Sequence, residues 1–430
     1  MFDPVAETEP VEERARRQDA RLRALVDRLL ALDGVQGRRL RAAGVQSGAD
    51  VSLDGLAALP TTGKADLWKH YPWGLLAVPR EQVRSVHGSS GTAGRPTLVA
   101  YTRADLDLWA AMCARALGMA GAGAGSLIHN AYGYGLFTGG LGLHQGAHAL
   151  GATVVPASGG MTARQVTLIR DLRPDILCCT PSYAVRLGEE LGRGSGIRAG
   201  LFGAEPWSEG LRATIESLLG LAALDIYGLS EVIGPGVSAE CPARDGLHVN
   251  EDHFLVEALD PATGRPVPDG TPGELTFTTP TKEALPLLRY RTGDIASLNR
   301  ARCGCGRTLV RMSKIIGRRD DMVVVRGVNV YPSEVEAVLL ADGAVGPHYQ
   351  IVLDTRTPLA RLVVACEPAA GAAPEGSGDL AERLVRALHE RLGLTCEVRV
   401  LPPGSVPRVE VGKAVRLARW TGGPAPIPNL

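Results

Sequence analysis

Four short apolar runs, separated by stretches of helical pattern, constrain this chain more than any other feature. Residues 152–156 (ATVVP), 175–180 (DILCCT), 199–203 (AGLFG) and 222–227 (AALDIY) have the length and continuity of buried strands. Between them, 162–171 and 207–220 read as helices. Strand–helix–strand repetition requires right-handed crossovers and builds a parallel sheet covered on both faces. Ligands bind such sheets beyond the carboxyl ends of the strands, so the segments that follow these runs are where chemistry is expected.

The flanks differ in texture. Residues 11–32 predict an amphipathic helix, with Val11, Ala15, Ala20, Leu22, Leu25, Val26, Leu29 and Leu30 recurring among arginines and acids. Residues 253–279 alternate like antiparallel strands around the turn signals Pro261–Gly264 and Pro268–Gly270. Polar residues 317–321 (GRRDD) precede a strand at 322–325, and a smaller α/β unit runs to the end, interrupted by an Ala/Gly/Pro/Ser/Glu loop at 368–379. The expected fold is α/β. A large domain, 1–319, holds the parallel sheet and the β region, and a small C-terminal α/β domain covers 320–430. No repeat of fixed period is present.

Composition excludes several classes. Net charge is zero, with no basic stripe, so nucleic acid is not an expected partner. Apolar runs are broken well short of a membrane span, and the N-terminal residues lack an apolar signal core. Eight cysteines in 430 residues are too few for a disulfide scaffold, so a reduced, cytoplasmic protein is expected.

The sharpest motif is His87-Gly-Ser-Ser-Gly-Thr-Ala-Gly-Arg-Pro96. Its small residues let backbone amides approach an anion, and its hydroxyls can donate to phosphate oxygens. It lacks the Gly-Lys-Ser/Thr ending of a Walker A loop, and residues 97–101 read as a strand, so a Gly/Ser hairpin turn is the competing reading. Asp225-Ile-Tyr-Gly-Leu-Ser-Glu231 places a ring, a hydroxyl and a carboxylate after a buried strand. Arg289-Tyr-Arg-Thr-Gly-Asp294 offers a carboxylate after a tight turn, suited to a ribose diol. Five of the 46 basic residues are lysines. One of them, Lys413, stands in Glu410-Val-Gly-Lys-Ala414 as a compact mobile charge that a guanidinium does not replace.

With Tyr132–Gly140 (YGYGLFTGG), Phe202–Trp207 (FGAEPW) and Arg326–Pro332 (RGVNVYP), these segments closely resemble the phenylacetate–coenzyme A ligase family of the adenylate-forming superfamily, over about residues 50–416. The resemblance implies that Ser89, Ser90, Gly91, Thr92 and Gly94 cradle the β- and γ-phosphates of ATP, with Ala93 and Arg95 standing where threonine and lysine are common. It also implies that Tyr227 stacks on adenine with Gly203, Ala204 and Glu205 on the other side, that Asp225, Gly228, Ser230 and Arg318 complete the nucleotide site, and that Asp294 holds the ribose. Glu231 would take Mg²⁺, a hard cation that needs few protein carboxylates. Lys413 would reach the α-phosphate and neutralise charge in the transition state. Asp320 matches the hinge position of a mobile small domain, and Gly327 the route of the coenzyme A arm. An acid pocket would draw on Tyr132, Tyr134, Gly135, Phe137, Gly139, Pro235 and Gly236, whose aromatics and glycines suit a flat ring. The implied reaction turns an aromatic acid and ATP into an acyl-adenylate, then into a coenzyme A thioester.

Cys241, His248, Cys303 and Cys305 provide three thiols and an imidazole, the donor set of a closed structural Zn²⁺ site. Some members of the resembled family carry such a cluster. The alternative is two unrelated loops with a reactive Cys-x-Cys, and His253 is a weaker candidate ligand. A carrier-protein phosphopantetheine is the alternative acyl acceptor. A nucleotide-binding protein without catalysis is the reading from another class, against which Lys413, Glu231 and Asp294 stand. A homodimer is a further expectation of the resemblance; the apolar face of the 11–32 helix could serve an interface or cover the core.

Overall fold

The computed structural model describes residues 1–32, 34–89, 96–319, 321–326, 328–357, 359–371, 377–409, 412–427 and 430. Its centre is a nine-stranded sheet. Five strands, Thr153–Val155, Leu127–Asn130, Ile176–Cys179, Ala199–Gly203 and Ala222–Leu229, lie side by side in that order and are parallel. The apolar runs form the expected strands because every residue of Ile176–Cys179 and Ala199–Gly203 is buried. The intervening helices are Thr162–Leu172 and Glu209–Leu219. Leu127–Asn130, next to the edge strand, is the parallel strand that the pattern does not reveal, since half of it is polar. His129 Nε2 pairs with Gln165 Oε1 at 2.8 Å and Asn130 Nδ2 donates to the Gly140 carbonyl at 2.8 Å, which gives each side chain a partner inside the core, while the buried His129 Nδ1 has none among the described residues. Beyond Ala222–Leu229 the sheet turns antiparallel through Gly234–Glu240, Leu247–Val249, Arg311–Met312 and Leu298–Asn299.

A second sheet carries Leu255–Leu259, Gly273–Thr278 and Tyr290–Ala296 as antiparallel neighbours, with Thr62–Gly63 added parallel at the edge and Gly317–Arg318 pairing with Tyr290–Ala296. The turn read at 261–264 is closed by Asp260, whose Oδ1 accepts from the amides of Ala262 and Thr263, both at 2.8 Å. The N-terminal helix, Val11–Ala31, buries Leu22, Leu25, Val26, Leu29 and Leu30 against Leu40, Leu255 and Leu288. Its apolar face is therefore used within the chain.

Residues beyond 322 form a separate core. Strands Glu397–Val400, Arg361–Pro368, Val345–Asp354 and Leu417–Trp420 make a four-stranded sheet in that order. Helices Pro332–Ala341 and Ser377–Leu392 pack on it through Val335, Leu339, Leu380, Leu384 and Leu388. The second helix begins inside the segment read as a loop to 379. Polar bonds and an apolar contact join this body to the larger one. Glu336 Oε1 accepts from the Ser208 amide at 2.7 Å, His348 Nε2 meets Glu189 Oε1 at 2.5 Å, and Leu340 packs against the helix Glu209–Leu219.

Candidate active site

The Asp225–Glu231 segment leaves the carboxyl end of the last parallel strand, as expected, and meets the second sheet there. Tyr227 is 9 % exposed, and its hydroxyl donates to Asp294 Oδ2 at 2.8 Å. The register of Tyr290–Ala296 with Gly317–Arg318 sets Asp294 opposite Arg318, so Arg318 Nη1 reaches Asp294 Oδ1 at 2.7 Å. Burial raises the Asp294 carboxyl, and the Arg318 guanidinium and the Tyr227 hydroxyl oppose that shift. Tyr227 also stacks near Phe277, with centroids 6.2 Å apart. Asp225 is buried beneath this site, and burial pushes its carboxyl up to about 7, with Lys314 opposing. Gly228 pairs with Pro235 across the strand junction, and Ser230 Oγ lies 3.1 Å from Thr138 Oγ1.

The glycine-rich segment connects two antiparallel strands, Ser85–Ser89 and Thr97–Tyr101. Ser90, Gly91, Thr92 and Gly94 lie outside the described residues. Ser89 stands at the entry of the connection, and its Oγ donates to Glu231 Oε1 at 3.1 Å. Glu231 is 4 % exposed, and its backbone carbonyl accepts from Lys282 Nζ at 2.9 Å. Lys282 is fully buried, its ammonium 5.0 Å from the Tyr101 ring centre. Burial lowers it to about 8, against the pull of Asp105 and Glu231. Motif reading passed over this lysine because it sits in a run, Thr281-Lys-Glu-Ala284, with no small-residue or turn signature; the scarcity of lysines was the available signal.

The third part is built by the loop after Ala199–Gly203. Gly203 is required there, since a Cβ would lie 2.0 Å from the Ile226 carbonyl oxygen. Ala204 holds φ at +71°, a left-handed conformation that a non-glycine residue keeps only when its surroundings impose it. Glu205 Oε1 accepts from the amide of Ser182 at 2.8 Å and from its hydroxyl, and Glu205 Oε2 accepts from the Ala414 amide at 2.8 Å. Lys413 is thus held beside the cleft. It keeps solvent access, yet the protein around its ammonium lowers its pKa, as does Arg318, while Asp294, Glu205 and Glu231 act to raise it. Asp320 and Gly327 lie outside the described residues.

The residues expected around the acid are spread over the next layer. Tyr132 is buried, with its ring 3.4 Å from where a Gly139 Cβ would stand and its hydroxyl 3.5 Å from the Leu201 carbonyl. Tyr134 turns to Asn130 and His144. Gly135 has φ +117°, Phe137 is 53 % exposed at the rim, and Gly236 has φ +95°. The Pro235 carbonyl accepts from Trp109 Nε1 at 3.1 Å. Trp109 stacks on Tyr101 at 5.4 Å and meets His87 edge-on at 5.6 Å. Neither Trp109 nor Tyr101 was singled out from sequence, because both lie where a helix and a strand bury their ordinary apolar faces.

Cys241, His248, Cys303 and Cys305 come together, with all four donor atoms within 4.8 Å of one another. Cys241 Sγ and Cys303 Sγ are 3.8 Å apart, and Cys305 Sγ is 3.4 Å from His248 Nε2. Zn–S bonds of ~2.3 Å at tetrahedral angles require sulfurs about 3.8 Å apart. Burial, with Arg307 and Arg311 nearby, lowers His248 to about 4 and keeps the imidazole neutral, the form that binds metal. His253 instead pairs with Thr281 and Asp252.

Residues 34–282 match the family model for AMP-binding enzymes, and residues 327–419 the model for the AMP-binding enzyme C-terminal domain. The phenylacetate-coenzyme A ligase of Thermus thermophilus is 49 % identical over 97 % of this chain and 99 % of its own, and that of Escherichia coli is 46 % identical over 97 % of each. Among solved structures, 2-hydroxyisobutyryl-CoA ligase in the postadenylation state superposes with a TM-score of 0.90 at 29 % identity, covering 97 % of this chain and 91 % of that one. The same ligase in the thioesterification state, with equal coverage and 30 % identity, gives 0.72. The chain belongs to the phenylacetate–coenzyme A ligase family of adenylate-forming enzymes.

Proposed function

We propose that this protein activates an aromatic, aryl or arylacetic, carboxylic acid with ATP and transfers the acyl group to coenzyme A. The observation that carries the reading is that Glu205, in the loop after Ala199–Gly203, binds the Ala414 amide and so brings Lys413, from the far end of the chain, to the side of the large body where Tyr227 meets Asp294 and Ser89 meets Glu231. The carboxylate would attack the α-phosphate, forming the acyl–phosphate bond and releasing pyrophosphate. The thiol of coenzyme A would then attack the acyl carbon and expel AMP, so no protein nucleophile is required.

Asp294 would accept the ribose hydroxyls and Tyr227 would face adenine, with Gly203, Ala204, Glu205 and Arg318 around them. Ser89 with residues 90–94 would contact the outer phosphates. Glu231 would hold Mg²⁺; its buried carboxylate beside Ser89 is the hard oxygen donor that this ion takes, and the ion would neutralise phosphate charge. Lys413 would meet the charge that develops on the α-phosphate. Tyr132, Tyr134, Gly135, Phe137, Gly139, Pro235 and Gly236 would surround the acid. The small body would turn about Asp320 between the two half-reactions, and coenzyme A would enter past Gly327. Cys241, His248, Cys303 and Cys305 would bind a structural Zn²⁺ that ties the strand Gly234–Glu240 to the loop before Arg311–Met312. Eight free cysteines fit a reducing, cytoplasmic setting, and among the described residues no helix is long and apolar enough to cross a membrane.

The test is pyrophosphate release with ATP and Mg²⁺ across a panel of aromatic acids, with and without coenzyme A. Acid-dependent release, with a thioester formed when coenzyme A is added, is the expected result. Release without a thioester would move the acceptor to a carrier protein, and no release with any aromatic acid would overturn the reading.

A further inference from the structure

Lys413 stands between two residues that the large body holds by the backbone. On one side, the Gly412 carbonyl accepts from Thr180 Oγ1 at 3.5 Å; on the other, the Ala414 amide donates to Glu205 Oε2 at 2.8 Å. Both anchors belong to one place, the start of the helix Pro181–Leu191. Thr180 is its N-cap, and Glu205 Oε1 accepts from the Ser182 amide in its first turn, where the helix dipole favours a carboxylate. Gly412 and Lys413 are themselves exposed, so packing does not fix them. Their placement rests on polar contacts to this dock.

A carboxylate suits the dock because its two oxygens accept independently. One is committed to Ser182, and the other is left for a segment that arrives from the small body. Glutamine has one acceptor oxygen and would present an NH₂ group to one of the two amides. Aspartate is a methylene shorter and could not span from the helix start to Ala414.

We propose that Glu205 is a positioning residue for Lys413: it latches the 412–414 segment onto the start of the helix Pro181–Leu191, and in doing so favours the domain orientation that forms the adenylate over the one that forms the thioester. The proposal rests on the reaction proposed above and gives Glu205 a role beyond flanking adenine. The higher superposition score with the postadenylation state of 2-hydroxyisobutyryl-CoA ligase supports reading the present arrangement as the orientation in which the latch is closed.

Two readouts test it. Amide hydrogen exchange of the peptide containing Ala414, with no substrate present, should rise in Glu205→Gln; unchanged exchange would overturn the latch. In single-turnover assays with a turned-over acid, Glu205→Gln should slow adenylate formation roughly tenfold or more, the loss of one charge-assisted hydrogen bond. The rate of thioester formation from preformed acyl-adenylate should stay within twofold. In a Lys413→Ala background the same substitution should change little, because the latch acts through Lys413. A rise in KM for ATP with adenylate formation unchanged, equal losses in both half-reactions, or losses that multiply with Lys413→Ala would each overturn it. If no acid is turned over while hydrogen exchange still responds, the latch stands and the proposed reaction fails.

Discussion

The two halves of the candidate site are built on opposite principles. In one, Tyr227, Asp294 and Arg318 interlock, each side chain from a different strand and each bonded to the next, with Asp294 4 % exposed. In the other, Lys413 lies exposed on a segment held, among the described residues, by two hydrogen bonds to another body. The first half is positioned before any ligand arrives and gains from rigidity. The second must be withdrawn if the small body is to rotate, so weak polar contacts serve it better than a packed interface. The contrast teaches that the reaction's two requirements, a fixed nucleotide and a removable cation, are assigned to different parts of the chain.

The largest expected break in that contrast comes from Lys413→Ala. Loss of the cation from the transition state should lower acid-dependent pyrophosphate release on the order of 100- to 1000-fold. Because the side chain is exposed, the melting temperature should stay within a degree. A melting temperature that fell with activity would show that Lys413 is structural and that the two halves do not differ in kind.

Metal removal probes the rigid half alone. Purified protein should contain one Zn²⁺ per chain by elemental analysis, and Cys303→Ser should lose it. The expected cost is about 3 kcal/mol or more, on the order of 4–5 °C or more in the unfolding of the large body. The small body, whose core runs from Val323 to Cys396, should unfold as in the parent. A metal-free parent of equal stability would leave the four residues as a chance cluster.

Asp294→Asn sharpens the comparison from inside the rigid half. Asparagine keeps one acceptor and turns an NH₂ toward either Arg318 or the Tyr227 hydroxyl, leaving a buried donor unpaired at about 1–3 kcal/mol. Both KM for ATP, by about tenfold, and the melting temperature, by a few degrees, should worsen. A change in activity with no loss of stability would mean that the three side chains are not coupled.

The parallel sheet was legible because its inner strands are buried on both faces, and burial writes itself as continuous apolar runs; the edge strand Thr153–Val155, read as buried from the same pattern, is only partly covered because no described strand pairs with its outer side. Leu127–Asn130 escaped because its polar half is paid in hydrogen bonds to Gln165 and Gly140, partners that are distant in sequence or carried by the backbone. The same division holds in the site. Tyr227, Glu231, Asp294 and Lys413 stand in motifs of small and turn-forming residues that name themselves. The contacts that place them do not: Arg318 reaches Asp294 by strand register, Lys282 reaches a carbonyl 51 residues away, and Glu205 reaches the Ala414 amide across 209 residues. Motif residues are chosen by chemistry, and their supports by geometry that only the fold supplies.

Lys282 gives the smallest effect and tests the rigid half at its base. It is fully buried behind Glu231, and burial lowers its ammonium to about 8 from the ordinary 10.5. A lysine whose folded pKa is depressed binds its proton more tightly in the unfolded chain. Between about pH 8 and 10.5 the unfolded state therefore holds more protons, and folding stability rises with pH across that window. Below pH 8 both states are protonated and the slope vanishes. Lys282→Met removes the titration, so the difference between parent and variant in denaturant unfolding should be flat from pH 6.5 to 7.5 and then move by about 1 kcal/mol in favour of the parent from pH 8 to 9. A difference that stays flat through pH 9 would mean that the ammonium keeps its proton in the folded state, stabilised there by Asp105, Glu231 and the Tyr101 ring together.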